Sequence, residues 1–377
     1  MITDQYKNSF LKGEHLLFLD GLRGIASILV LIYHISWMWR KITAKYYFKL
    51  DYFIAQIGWT GVNLFFIVSG LLITNILLNT KNKNNYFKNF YMRRVLRIIP
   101  LYFLILFIFN FLYNEFSHLF FHLFFISNFL LVDSSIVNSG FAAVSWSLSI
   151  EEQFYIFWPM IIRTVSSNKL YIYCILIIGV ATTIKSMSFL GNLPYHFLYY
   201  STVTRLDGLA LGSLLALIIR FRTSRRMDFY CALFVLSLSL SLIIFIYLKL
   251  GGFYVKINPT LIMGLGDILV NLFYASFIYI TIFWNKGYLR KILTCRLLSI
   301  SGKHSYAIYL IHPVVLSLVD NFLKFKIIKM AHWNFLLTEI SFHLLVIIIT
   351  FIVAKILWVS FEAPFLNLKR FFDFSPT

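Results

Sequence analysis

LDGLRGIASILVLIYHISWMW (19–39) decides the fold class, because this run of 21 residues is long enough to cross a bilayer as a helix yet carries Asp20, Arg23 and His34. At 1.5 Å per residue the run covers about 30 Å, the thickness of a hydrocarbon core. Ionisable groups at that depth are expensive, about 2.5–3.5 kcal/mol each on insertion scales, and usually face a cavity or a partner. Arg23 and His34 are 11 residues apart. At ~100° per residue they share one helix face, roughly 20° off register, with a rise of roughly 16 Å between them. Asp20, one turn before Arg23, is placed to pair with it. A plain alternative is an interfacial ion pair plus one hydrogen-bonded core histidine.

The remaining sequence extends the same pattern. Of the 377 residues, 60% are hydrophobic and 13% charged, with 41 Phe, and the mean hydropathy is +0.79. A soluble chain of this composition lacks the polar surface to cover itself. The expectation is an all-α polytopic transmembrane bundle. Spans are expected near 19–39, 57–78, 97–114, 144–162, 170–190, 203–220, 229–248, 260–284, 305–323 and 335–358. A further apolar run at 118–131 is short, and spanning, re-entrant and interfacial placements all fit it. Residues 1–18 lack the pattern of a cleavable signal peptide.

Charge orients the bundle. With 118–131 left out and the N-terminus inside, inside segments hold 21 basic residues and outside segments nine. Cytoplasmic loops concentrate Lys and Arg, so ten spans with both termini inside is the expected topology. The net charge of +19 is then a membrane signature, and no nucleic-acid partner is expected. The cysteines, Cys174, Cys231 and Cys295, have neither a pairing nor a zinc spacing. His118 and His122 are half of a metal site at most, so no metal is expected.

Other ionisable groups sit at membrane depth. In YFKNFYMRRVLRIIPLYF (86–103), Arg94 and Arg97 share a face at a span mouth, with Arg93 beside them. Arginine forks suit phosphates, although a topological anchor explains an isolated RRxxR equally well. WSLSIEEQFYIFWP (146–159) puts Glu151 on one face with Tyr155 and turns Glu152 about 100° away. TRLDGLALG (204–212) carries Arg205 and Asp207. SGKHSYAIYLIHPVV (301–315) buries His312 one turn after Tyr309, just before a proline that loosens the helix. Each alone reads as a structural pair or a satisfied histidine. Together they imply a polar cavity inside the bundle.

The order of motifs resembles the integral-membrane acyltransferase-three family: FLDGLRGIASILVLIYH (18–34), FFIVSGLLIT (65–74), RRVLRIIPLY (93–102), WSLSIEEQFYIFWP (146–159), RLDGLALGSLLA (205–216), SYAIYLIHP (305–313) and FEAPF (361–365). The resemblance covers nearly the whole chain. It implies a single membrane acyltransferase domain over 1–377, with a cytoplasmic segment 1–18, the bundle at 19–359 and a cytoplasmic tail 360–377. No fused extracytoplasmic domain is expected. The family moves acyl groups, most often acetyl, from cytoplasmic acyl-coenzyme A to sugars and other hydroxyl acceptors at bacterial surfaces. The resemblance therefore implies a bacterial cytoplasmic (inner) membrane enzyme with acetyl-coenzyme A as co-substrate. Its acceptor would be a carbohydrate or glycolipid, such as lipopolysaccharide O-antigen, and membrane lipid its surroundings. His34, Arg23 and Glu151 fall on the family's catalytic positions, and Arg94 and Arg97, with Arg93 adjoining, on the acyl-coenzyme A side. Arg205, Asp207, Tyr309, His312 and Glu152 are candidates for substrate or oxyanion contacts.

The chemistry suits these residue types. A sugar hydroxyl needs a base near neutral pH, and a neutral imidazole accepts its proton. A developing oxyanion needs a donor or cation. A secondary transporter or flippase-like protein would share the ten spans and intramembrane charges. It has no need of an RRxxR phosphate site, and no pair of Gly/Pro-broken segments marks two halves here.

Overall fold

The computed structural model describes residues 9–10, 16–43, 56–133, 141–191, 193–222, 225–253, 257–284 and 287–374. Most of the segment 1–18, including Lys7 and Lys12, lies outside the described residues. The chain folds as an all-α bundle, with nine helices among the described residues long and apolar enough to cross a membrane. It is an integral membrane protein. In chain order the helices that matter here are α1 (Leu17–Thr43), α2 (Gly61–Thr80), α3 (Tyr86–Tyr113), α4 (Leu119–Leu123), α5 (Ser127–Val132), α6 (Ala142–Thr164) and α7 (Ser167–Met187). They continue with α8 (Thr202–Phe221), α9 (Arg225–Leu250), α10 (Asp267–Phe283), α11 (Arg296–Lys303), α12 (Ser305–Trp333) and α13 (Phe335–Leu357). Nine of the ten expected spans fall on helices that meet both conditions. The tenth, 144–162, is α6, which is long enough but is made less apolar by its serines and by Glu151 and Glu152.

The run 118–131 does not cross. It folds as α4 and α5, five and six residues long, about 8–9 Å each. Phe125 between them has a positive φ of 53°. The Tyr86 hydroxyl donates to the Pro159 carbonyl at 3.1 Å and the Tyr91 hydroxyl to the Ile156 carbonyl at 2.7 Å. The start of α3 therefore lies beside the end of α6. The end of α3 and the start of α6 must share the opposite end, so the chain between them leaves and returns on one side. Its tip reaches inward: the Gln153 amide, halfway along α6, donates to the Phe125 carbonyl at 2.9 Å. The segment is re-entrant, and α6 holds it in register through Ser127 Oγ, 2.9 Å from both Ser145 Oγ and Ser149 Oγ.

The basic segments gather at one end. Lys81, just past α2, donates to the Val165 carbonyl past α6 at 2.7 Å, and Arg220 near the end of α8 donates to Asn79 Oδ1 at 2.6 Å. At that end the short helix α11 packs directly on α1. Glycine permits this approach, because a Cβ on Gly302 would run into the Asp20 carbonyl and one on Gly24 into the Leu298 carbonyl. Backbone contact of this kind is a common way for helices to associate where lipid removes the hydrophobic drive. The result is that Arg23 projects between α3, α6 and α11.

Candidate active site

Three cavities border Arg23, and two of them also hold Glu151. The first, about 300 Å³, is lined by Asp20, Arg23, Arg94, Arg97, Glu151 and Tyr155 among others. It brings together four candidate site residues, Arg23, Arg94, Arg97 and Glu151, that the sequence scattered over three helices. Glu151 is held in place from two sides, accepting from Ser69 Oγ at 2.9 Å and from the Tyr155 hydroxyl at 3.1 Å. The Arg94 guanidinium lies over the Tyr155 ring, 4.9 Å from its centroid, and over Phe90 at 5.7 Å. That contact orients the fork while leaving its N–H edges toward the cavity.

The second cavity is smaller, about 70 Å³, and lies deeper, between Arg23, Ser69, Ser147, Glu151, Ser305 and Tyr309. The Ser305 hydroxyl is buried there with no hydrogen-bond partner among the described residues. Tyr309 closes the inner side. Its hydroxyl donates to the Val144 carbonyl at 3.0 Å and lies 2.6 Å from Ser147 Oγ.

One ring beyond Tyr309 stand two histidines from helices distant in sequence. The Tyr309 and His312 ring centroids are 5.9 Å apart, and those of His312 and His34 are 4.9 Å apart. His34 Nδ1 lies 2.9 Å from the Val30 carbonyl, and His312 Nδ1 lies 3.1 Å from the Ile308 carbonyl. A carbonyl oxygen only accepts, so in the neutral rings both Nδ1 atoms carry the hydrogen. His312 Nε2 is then a bare acceptor, 3.3 Å from His34 Nδ1. His34 Nε2 is left bare, with no hydrogen-bond partner among the described residues. The pair presents one basic nitrogen and holds its ring from behind. Pro313, which follows His312 inside α12, offers no N–H to the Tyr309 carbonyl and so relaxes the helix at this point.

The other candidates lie elsewhere. Glu152 is absent from the lining of both cavities, and its buried Oε1 has no hydrogen-bond partner among the described residues. Arg93 leaves the cavity and binds the C-terminal segment, pairing with Asp373 and pointing at the Phe372 carbonyl. Arg205 and Asp207 belong to a separate buried network. Lys185 Nζ is 2.5 Å from Asp207 Oδ2 and also pairs with Asp267, which in turn pairs with Arg205. Asn63 donates to Asp267 at 2.8 Å and to Asn271 at 2.7 Å, and Asn271 donates to Asp207 at 3.0 Å. Two cations and two carboxylates balance, and the Arg205 guanidinium is also flanked by the rings of Tyr199 at 5.3 Å and Phe66 at 5.6 Å. This network ties α2, α7, α8 and α10 together.

Sequence reasoning passed over Lys185 and Asp267, although both lie inside expected spans and the cost of burying charge singles them out. It also passed over Ser69, Ser147 and Ser305, for which a small hydroxyl in an apolar run is no signal. Among the described residues no group of three His, Cys, Asp or Glu is arranged to hold a metal. His122 instead faces Ser145 Oγ at 3.2 Å. His304, between α11 and α12, is held below the ordinary imidazole value by burial and by Lys303 and Lys355.

Comparison with known proteins bears on this arrangement. A family model described as an acyltransferase domain matches residues 16–359. The chain is similar to the peptidoglycan O-acetyltransferase OatA of Listeria monocytogenes, 28% identical over 353 residues that make up 86% of this chain and 54% of that protein. It is 28% identical over 356 residues to a Bacillus subtilis protein provisionally named a peptidoglycan O-acetyltransferase, covering 86% of this chain and 53% of that one. It is thus about half the length of these curated relatives. No solved structure matches it.

Proposed function

The chain belongs to this acyltransferase family, and we propose that it is a membrane O-acetyltransferase moving an acetyl group from acetyl-coenzyme A to a hydroxyl of a surface carbohydrate. The observation that carries this reading is the stacking of an arginine-lined cavity, through Tyr309, beneath a histidine pair with one bare nitrogen. Arg94 and Arg97 suit the diphosphate of the donor. Arg23 and Glu151 line both cavities and steady the thioester arm on its way inward. Tyr309 and Ser147, by turning their hydroxyls away from the Val144 carbonyl and from each other, are the polar groups near His312 that can hold the thioester oxygen as negative charge develops on it.

In the transfer, the sugar oxygen forms a bond to the acetyl carbon and the carbon–sulfur bond breaks. His34 Nε2 takes the hydroxyl proton, which passes to the departing sulfur, so coenzyme A leaves as the free thiol. The His34 Nδ1–H, shared between the Val30 carbonyl at 2.9 Å and His312 Nε2 at 3.3 Å, meets two acceptors, which favours the imidazolium that forms. The donor enters from the cytoplasmic side of a bacterial membrane, at the basic end where the Arg94 and Arg97 cavity opens, with the termini on that side. The names of the relatives make a peptidoglycan sugar the acceptor to test first, ahead of lipopolysaccharide O-antigen.

The test is release of free thiol from acetyl-coenzyme A by the purified protein in detergent, with and without a saccharide acceptor, together with acetyl analysis of the acceptor. Acceptor-dependent thiol release with matching O-acetylation is expected. A folded protein that neither binds acetyl-coenzyme A nor releases thiol would overturn the reading.

A further inference from the structure

A third cavity, about 700 Å³, lies outside the first and shares Asp20, Arg23, Arg97 and Tyr306 with it. Its outer wall comes from two elements to which no site residue had been assigned. One is α11, which contributes Arg296 and Lys303. The other is the segment after α13, where a π-helical turn at Trp358–Glu362 redirects the chain and brings Lys369 to the opposite side.

That segment is clasped in place. Arg93 pairs with Asp373 and reaches the Lys369 carbonyl at 3.4 Å, and the Asn89 amide donates to the Asp373 carbonyl at 3.0 Å. The clasp explains why Arg93 does not join Arg94 and Arg97 in the inner cavity. Five cations line the outer cavity against two carboxylates, Asp20 and Glu362. Among the described residues neither Arg97, Arg296, Lys303 nor Lys369 has an ion-pair partner. Uncompensated cations crowded around one cavity repel one another, and the natural relief is a polyanionic ligand.

We propose that this outer cavity is a subsite for the phosphorylated nucleotide end of the donor, held by Arg296, Lys303 and Lys369 between α11 and the C-terminal clasp. The proposal rests on the reading of the donor as acetyl-coenzyme A. A terminal phosphate carries about −1.5 to −2 charge near pH 7, which offsets half or more of the excess of five cations over two carboxylates. The shared wall lets one long molecule occupy both cavities, with its diphosphate at Arg97 and its thioester arm turned toward Arg23. The clasp thus makes the C-terminal segment part of the binding site.

The experiment measures affinities of the purified full chain in detergent for coenzyme A and for 4′-phosphopantetheine, which lacks the nucleotide. Wild-type protein is expected to prefer coenzyme A by about tenfold or more, and Arg296→Gln/Lys303→Gln protein to lose most of that preference, as does Lys369→Gln. Lys303→Arg should keep it. These side chains are solvent-facing or partly so, and unchanged melting temperatures establish that the variants fold. An undiminished preference in folded Arg296→Gln/Lys303→Gln and Lys369→Gln proteins would overturn the subsite while leaving the acetyltransferase reading intact. Failure of wild-type protein to bind either compound would overturn both.

Discussion

His312 Nε2 lies 3.3 Å from His34 Nδ1, across a gap of 278 residues in the chain. Each ring's Nδ1 is turned onto the carbonyl one helical turn before it. The two helices thereby set the tautomer of both rings with backbone groups alone. Only one nitrogen of the pair, His34 Nε2, stays open to a substrate proton.

If that nitrogen is the base, His34→Gln and His34→Ala should lower acetyl transfer alike, by at least ~10²-fold, the low end for losing a general base. Expression, melting temperature and coenzyme A affinity should stay near wild type. Wild-type turnover should also fall at acidic pH as the imidazole takes up a proton. Glutamine keeps polarity and hydrogen bonding but cannot take a proton, so robust transfer by folded His34→Gln protein would remove His34 from the chemistry.

His312 acts as a positioning residue, and its variants should separate turnover from binding. His312→Leu removes the acceptor behind His34 and should lower kcat by about tenfold or more with KM for acetyl-coenzyme A nearly unchanged, the signature of an interaction made only in the transition state. Glutamine offers an oxygen near the position of Nε2 and should recover part of the loss. Equal defects in His312→Gln and His312→Leu, accompanied by equal losses of stability, would instead mark a packing role.

The three neighbouring arginines should behave differently. Arg94→Ala/Arg97→Ala should raise KM for acetyl-coenzyme A strongly, since each charge-assisted bond lost is worth ~1.5–3 kcal/mol. Lysine at these positions should rescue only in part, because a point charge replaces a fork. Arg93→Ala loosens the clasp on Asp373, and its effect on KM should therefore be reproduced by Asp373→Ala, as no variant at Arg94 or Arg97 would be. Steady-state kinetics on the four proteins decides the matter.

Much of this site was legible because helical periodicity acts within one span. Arg23 and His34 share a face by arithmetic, as do Glu151 and Tyr155, and the hydroxyl of Tyr155 does donate to Glu151. The nine apolar spans follow from length and hydropathy. What was not legible is which helices are neighbours. Nothing in α1 says that α12 lies against it, so His312 could be a candidate without being recognised as the partner of His34. Arg205 and Asp207 looked like site residues because they are ionisable at depth. Their counter-charges, Lys185 and Asp267, come from two other spans, and only the packing reveals that the four neutralise one another.

The re-entrant placement of 118–131 fixes the parity of every later loop, and thiol labelling tests it. In a chain whose three native cysteines are replaced, cysteine at Asn84 or Asn367 should be protected from a membrane-impermeant reagent in intact cells, while cysteine at Ser117 should react. Asn84, Ser117 and Asn367 are all exposed, so accessibility within the fold does not limit the reaction. Reaction at Asn367 together with protection at Asn84 would mean that the intervening chain crosses an odd number of times, and the re-entrant assignment would fall.

The buried network offers the sharpest stability prediction. Lys185 is fully buried and lies between Asp207 and Asp267, while Asp267 also pairs with Arg205. Removing Lys185 leaves two carboxylates facing one remaining cation, and breaking a buried ion pair from one side costs about 3–5 kcal/mol. Lys185→Met should therefore lower the melting temperature markedly and reduce the yield of folded protein. Asp207 loses its only ion-pair partner among the described residues in that variant, so neutralising it should relieve part of the cost. Lys185→Met/Asp207→Asn is expected to be more stable than Lys185→Met alone, a coupling that two independent defects would not show. Because the network lies apart from the Arg94 and Arg97 cavity, the fraction of Lys185→Met protein that does fold should bind coenzyme A with near-normal affinity. Weakened binding in that folded fraction, or a double variant no more stable than the single one, would mean that these four charges do more than hold α7, α8 and α10 together.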